Sequence, residues 1–476
     1  EGTGNRSEID YTNIRWFNSV VVEGTRINDH ADREMIAINE LVLTFDLTSL
    51  IGKKDIRLNE AWVDGASVNL RDEGNAALNI DYWGIALDDF LAGEAPATPN
   101  PNFEPGLFGI DKITMINSDF SLSDGRMDSL STGFDYNHFR LTDLNADLLN
   151  LKSIRDTFQI DIKYLSAADT ISGLRIDQLN TFFRISQKGM AFYDLDLKMG
   201  QSHLKDSVVF RHEKASDMSD FVNKVDISAN FNQSVIHTRE LALFAPELSK
   251  YNEQLELSGY FTGTVKDFYT QEFSISFGEH TQLQGEMDIE GLPNIDETLF
   301  DIGLENSTLK STDLEEYLGP TAFRISNKLG LVRVNGDFDG VLKSFVADGD
   351  FRTDIGNFTS FTQIEAVPGS KASYSGALVM EEFDLGLFTG NNIFQKINLR
   401  GEIKEGSGFK LQDADFILDA TISKVGINGY DYENIKTDGR FTESSFGGNV
   451  EVNDPNFILQ ANGSIDLTDQ KNVISM

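Results

Sequence analysis

Apolar and polar residues alternate with a period of two along almost the whole chain, which restricts it to strands whose two faces meet different surroundings. Near the start Leu41, Leu43, Phe45 and Leu47 alternate with Val42, Thr44 and Asp46. Later Tyr193, Leu195, Leu197 and Met199 alternate with Asp194, Asp196 and Lys198, a spacing that predicts four apolar side chains on one face and charges on the other. The same rhythm runs through Val225, Ile227, Ala229 and Phe231, through Phe273, Ile275 and Phe277, and through Phe300, Ile302 and Leu304. It returns at Ile397, Leu399 and Ile403, and at Leu459, Ala461, Ile465 and Leu467. The expected fold class is mainly β, an elongated antiparallel sheet curled into a trough with a few short capping helices.

Helical pattern is scarce. The clearest piece is Thr312 to Leu318, with capping-box spacing from Thr312 to Glu315 and a stop at Gly319 and Pro320. Two shorter pieces are Thr238 to Phe244 ahead of Pro246, and Ile85 to Leu91 ending at Gly93. A parallel βαβ design would need a helix after nearly every strand. Pro96, Pro99, Pro101 and Pro105 mark residues 95–106 as an extended linker. It separates a first β region at 1–94 from a second at 107–215, and a softer, polar boundary at 211–220 precedes a repetitive β segment at 216–476. Within that segment the run Leu257 to Phe268 is echoed by Val334 to Phe345, with Gly, Phe, Gly, Lys and Phe recurring in register. Gly285, Gly349, Gly401, Gly439 and Gly463 open related patterns. A degenerate repeat of this kind points to a stacked, quasi-one-dimensional sheet.

Composition removes several classes of function. A formal charge of −36, from 76 acidic against 40 basic residues, would repel a phosphate backbone and an anionic membrane surface. Like charges along edge strands instead keep a long β-protein soluble. The absence of cysteine excludes disulfides, thiolate metal sites and Cys nucleophiles. No run of 18 apolar residues and no basic-then-apolar leader occurs between Glu1 and Met476, so the chain reads as a piece of a longer polypeptide.

No catalytic constellation emerges. His30, His138, His203, His212, His237 and His280 lack metal-ligand spacing, and GxSxG, P-loop and GxGxxG motifs are missing. Asp143, Asn145 and Asp147 begin like a calcium loop, but Leu148 stands where the loop needs Gly. The acidic pairs Asp88-Asp89, Glu315-Glu316 and Glu381-Glu382 read as solvated surface. The expectation is a protein without metal, cofactor or enzymatic activity.

The stretch Ala61 to Asn75 followed by Leu78-Asn79-Ile80 resembles the N-terminal signature of AsmA and TamB envelope proteins: an apolar strand, Arg71-Asp72, a Gly turn and an Asn-rich end. Ile110 to Leu122 with Asp124 is similar to the second strand pair of that family. Asn180 to Ser186 running into Tyr193 to Met199 is similar to TamB-like proteins of the Bacteroidetes type. The resemblance implies a β-trough, apolar inside and polar outside, in the periplasm of the cell envelope. It also implies an inner-membrane helix outside this segment, a partner barrel of the TamA/BamA superfamily, and phospholipid as cargo.

A trough of that kind has a physical rationale. Exposing acyl carbons to water costs about 0.8 kcal/mol per CH₂, or on the order of 20 kcal/mol for a two-chain phospholipid, and a continuous apolar groove removes most of it. The groove candidates are the alternating residues Leu41, Leu43, Phe45, Leu47, Tyr193, Leu195, Leu197, Met199, Ile227, Phe231, Phe273, Ile275, Phe277, Ile302 and Leu304. A single such stripe reads first as ordinary core packing; only the repetition favours a lipid conduit. The alternative is a periplasmic scaffold that offers strand edges during outer-membrane protein assembly. A surface adhesin or polysaccharide lyase is a third reading, opposed by the acidic charge.

Overall fold

The computed structural model describes residues 7–15, 18–46, 56–72, 74, 77–82, 108–154, 157–244, 246–316, 318, 320–366, 371–408, 413–466 and 473–475. The chain is mainly β, a long mixed sheet that is not closed into a barrel, with few and short helices. It divides into two compact units, Glu1–Leu255 and Glu256–Met476.

The first unit contains β1 (Ser7–Glu8), β2 (Tyr11–Arg15), β3 (Ser19–Asn28), β4 (Glu34–Phe45), β5 (Ile56–Asp72), β6 (Phe108–Asp124) and β7 (His138–Ile154). It continues with β8 (Thr157–Asp169), β9 (Arg175–Ile176), β10 (Gln178–Ser186), β11 (Gly189–Met199), β12 (Ser202–Arg211) and β13 (Asp226–His237). From β3 the ladder runs in chain order through β8, skips to β10 and proceeds to β13, while β1 and β2 both pair with β3. One pairing departs from the antiparallel expectation: β5 and β6 lie parallel, from Ile56 beside Phe108 to Asp72 beside Asp124. Parallel neighbours need a long crossover, and residues 73–107 supply it. The Pro-rich stretch 95–106 and the helix expected at Ile85 to Leu91 lie outside the described residues, but they belong to this crossover between two paired strands. The polar stretch at 211–220 likewise joins β12 to β13, which pair with each other.

β14 (Gln254–Gly263) spans the division at 255. The second unit holds β15 (Asp267–Phe277), β16 (Thr281–Glu290), β17 (Leu299–Lys310), β18 (Leu331–Val341), β19 (Ser344–Thr353), β20 (Gly356–Glu365) and β21 (Ser373–Asp384). β22 (Phe394–Ser407), β23 (Asp415–Ile427), β24 (Tyr430–Thr442), β25 (Ser445–Asp454), β26 (Phe457–Asp466) and β27 (Val473–Ser475) complete it. From β15 to β27 each strand pairs antiparallel with the next in chain order.

Why the chain builds hairpin upon hairpin is visible in the echoed run. Gly340 sits opposite Phe345 at the neck of the β18–β19 hairpin, and a Cβ on Gly340 would meet the Phe345 Cα at 2.7 Å. Gly263 stands in the same relation to Phe268, at 2.8 Å. The repeated Gly and Phe therefore form a cross-strand unit in which the glycine lets the two backbones approach closely.

Strand interiors in both units contain left-handed residues: Asn117, Asp143, Asp194 and Gln233 in the first, Asn306, Glu382 and Glu405 in the second, with φ between 47° and 52°. Several coincide with register shifts where two residues oppose one. Such bulges bend the strand and raise its twist, and short polar side chains tolerate the conformation best. Each of three bulges is tied to the single residue opposite it on the paired strand: the Asn117 N–H donates to Asn145 Oδ1 at 3.1 Å, that of Asn306 to Asn335 Oδ1 at 2.6 Å, and that of Glu382 to Asn398 Oδ1 at 2.5 Å.

Helical pieces are shorter than expected and differently placed at one position. Ser311–Leu314 forms a single 3-10 turn, and Pro320, read as a stop, instead opens the helix Pro320–Ser326. Proline suits a first helical position because the N–H it lacks has no intrahelical partner there. The helix expected before Pro246 forms over Thr238–Leu241. The signature residues near Arg71 terminate β5: Asn79 is buried, accepts the Arg71 N–H at 3.0 Å and donates to the Asn69 carbonyl at 2.9 Å.

Candidate functional site

Each unit carries an apolar sheet face. In the first, Ile162, Leu179 and Leu195 are buried, and Phe183, Phe192, Leu197, Leu204 and Val208 pack against them. Leu195 and Leu197 lie there as expected, and Met199 is buried at the end of the same strand. Tyr193 does not. The bulge at Asp194 places Phe192 opposite Val208 and Leu195 opposite Asp206, so Phe192 shares the face of Leu195 and Tyr193 is turned to the other side. There Tyr193 stacks on Phe182, with ring centroids 6.2 Å apart, and keeps 39% of its surface exposed. Sequence alternation read straight through the bulge and so exchanged two aromatic residues.

Ile227 lies opposite Phe210, and Phe231 opposite Asp206, so the apolar face continues from β12 onto β13. Leu41 stands between Val22 and Val63, Leu43 between Val20 and Ala61, and Phe45 opposite Leu58, all half-buried. Leu47 lies outside the described residues.

In the second unit Phe273, Ile275, Phe277, Ile302 and Leu304 come together on one face. Phe273 and Leu304 flank Gly285 from either side, Ile275 faces Leu283, and Ile302 faces Met287 and Phe338. Strand register then shows an order that alternation alone did not reveal. One row of bulky residues crosses the strands as Val334, Phe351, Phe358, Met380, Leu399, Ile422, Ile435 and Val452. A second begins with Phe345, Ile364 and Tyr374 and resumes with Phe416, Phe441 and Phe446. Between them small residues such as Gly336, Gly349, Ser360, Gly401 and Ala420 are interspersed with larger ones, Phe338, Leu378, Ile403 and Leu418. The two rows stand about 20 Å apart, separated by six residues of strand. Rings within the rows are ordered along the sheet, with Phe351 stacked on Phe358 at 4.7 Å and Phe416 on Phe441 at 5.6 Å. Val334, Leu399 and Val452 are buried, whereas Phe338, Phe345, Phe351, Phe358, Phe416, Phe441 and Phe446 are only half-buried.

The opposite face is polar. Lys404 pairs with Asp419 at 3.1 Å and Arg440 with Asp415 at 2.6 Å, and the Arg440 side-chain hydrogen bond holds the Asp415 carboxyl below its ordinary range. In the first unit His203 and Asp196 pair at 2.7 Å on the side of β11 away from Leu195 and Leu197. His138 pairs with Asp135, and His237 caps the helix at Thr238 by accepting the Arg239 N–H at 3.2 Å. The calcium-like run forms a bulge, in which Asn145 donates to the Asp143 carbonyl at 2.8 Å and Asp147 accepts from Thr114. Among the described residues no group of three or more His, Asp or Glu is arranged to hold a metal ion. The apolar face of each unit therefore offers hydrophobic area, the property that holds a hydrocarbon chain. No protein-family model, curated protein or solved structure matches this chain.

Proposed function

We propose that the chain is a lipid conduit of a bacterial envelope, its apolar sheet faces shielding acyl chains from water. One observation carries this reading: rows of apolar residues cross strand after strand of the second unit, and their Phe rings stay half-buried with open surface. A sheet face packed on a second layer would be dry and fully covered. The wider setting follows the family resemblance: a periplasmic position, a barrel partner of the TamA/BamA superfamily and anchorage by an inner-membrane helix.

The test is native mass spectrometry with lipid extraction on protein purified from a bacterial envelope. Co-purified phospholipid is expected, lost on Ile275→Asp or Leu197→Asp while the circular dichroism of the sheet persists. A lipid-free protein would overturn the conduit and favour an assembly scaffold, which needs strand edges and no greasy face.

A further inference from the structure

In the first unit, aromatic rings cross from one part of the curled sheet to another. Phe120 and Phe139, on the paired strands β6 and β7, lie 5.9 Å apart by ring centroid. Phe134 follows at 5.5 Å from Phe139, and Tyr136 at 5.2 Å from Phe134. Tyr136 then meets Phe221 at 6.4 Å, and Phe221 meets Phe210 of β12 at 5.5 Å. In the ladder β7 and β12 are separated by β8, β10 and β11. The chain of rings therefore spans the apolar face those strands present.

The crossing segment is the β6–β7 connection, residues 125–137. It is stiffened from within by Asp135, which accepts the N–H groups of Leu130, Asn137 and His138 at 2.8, 2.9 and 3.1 Å. Its grip on the far side is one backbone hydrogen bond, from the Phe134 N–H to the Leu243 carbonyl at 2.6 Å, and ring contacts of Phe134 and Tyr136 with Phe244 and of Tyr136 with Phe221. Gly133 lets the backbones approach, since a Cβ there would stand 2.7 Å from the Leu243 oxygen. The contact is also wet. Tyr136 keeps 55% and Phe244 42% of its surface exposed. A rigid segment held at its far end by exposed rings separates at small cost, because little apolar area returns to water.

We propose that residues 125–137 form a clasp across the apolar face of the first unit, closed in this structure and lifted when an apolar chain enters beneath it. The proposal rests on the lipid reading above.

Because the chain has no cysteine, single thiols report on the clasp cleanly. The first measurement is the rate at which a maleimide alkylates Val208→Cys, on the covered face, with and without Tyr136→Ala and Phe244→Ala. Loss of the two rings is expected to raise the rate at least tenfold with the sheet intact by circular dichroism. Gly133→Val, which disturbs the approach to Leu243 while sparing the rings, is expected to act in the same direction. Equal rates in all backgrounds would overturn the clasp whatever the ligand. The second measurement joins Tyr136→Cys to Phe244→Cys with a short bis-maleimide and follows uptake of a pyrene-labelled fatty acid. Uptake slowed tenfold or more by the link supports the clasp, and unchanged uptake refutes it. If the unlinked protein binds no fatty acid, the lipid reading fails, and the alkylation rates still decide whether the clasp opens.

Discussion

Ser307 accepts the backbone N–H of Gln284 through its Oγ at 2.9 Å, from a position with no solvent exposure, and lies 3.1 Å from the carbonyl of that same residue. The arrangement fills the gap that the Asn306 bulge opens in the β16–β17 ladder. The first unit repeats it: Ser234, after the left-handed Gln233, accepts the Lys205 N–H at 2.9 Å, and Ser118, after Asn117, accepts the Ala66 N–H at 3.2 Å. Ser307→Ala is expected to cost about 1–3 kcal/mol, because it strands buried backbone groups of Gln284. Chemical denaturation combined with hydrogen exchange at the Gln284 amide measures this, and unchanged protection there would refute the role.

The bulge that turns Tyr193 outward depends on Asp194 with φ near 49°. Asp194→Gly is expected to be tolerated within about 0.5 kcal/mol, whereas Asp194→Val is expected to lose roughly 1–2 kcal/mol, since a β-branched residue resists the left-handed region. Denaturant midpoints of the two variants give the comparison. Equal midpoints would mean that the bulge is not fixed by this residue.

Asp301 lies directly between Asp288 and Asp339 on adjacent strands, three like charges side by side. Asp301→Asn is expected to stabilise by on the order of 0.5 kcal/mol at low ionic strength, and the gain is expected to shrink in molar salt. Melting temperatures at the two salt concentrations test this, and a gain independent of salt would point to a cause other than charge.

At the base of the clasp, the side-chain hydrogen bond from Arg126 holds the Asp124 carboxyl down at about 2, against an ordinary 3.8. A depressed carboxylate contributes its stability above its unfolded value and loses it as pH falls through the folded one. The first unit is therefore expected to lose stability between about pH 4 and pH 2, and Asp124→Asn to flatten that part of the profile. Thermal melts across this interval, with parallel slopes for both proteins, would count against the Arg126 contact.

Much of the fold was legible because strand alternation is local. Ile275 and Phe277, or Leu195 and Leu197, need only their own strand to declare a face, and the five candidates from Phe273 to Leu304 do share one. The echo of Leu257 to Phe268 in Val334 to Phe345 marked hairpins whose Gly and Phe meet across strands. Tyr193 was misplaced because a bulge is a property of two strands, decided when the neighbouring ladder accommodates an extra residue. The Asn117-Ser118, Gln233-Ser234 and Asn306-Ser307 pairs were the available signal, a left-handed polar residue followed by a buried hydroxyl.

By itself the sequence determined that this chain forms amphipathic strands with an acidic exterior, since side-chain period and charge act residue by residue. Only the tertiary structure decided which strands are neighbours, including the parallel pairing of β5 with β6 across a long crossover. It also decided which apolar residues align in rows across the strands, and that Tyr136 reaches Phe221 and Phe244. Those relations depend on register and curvature, which arise from the packing of many strands and are encoded in no one of them.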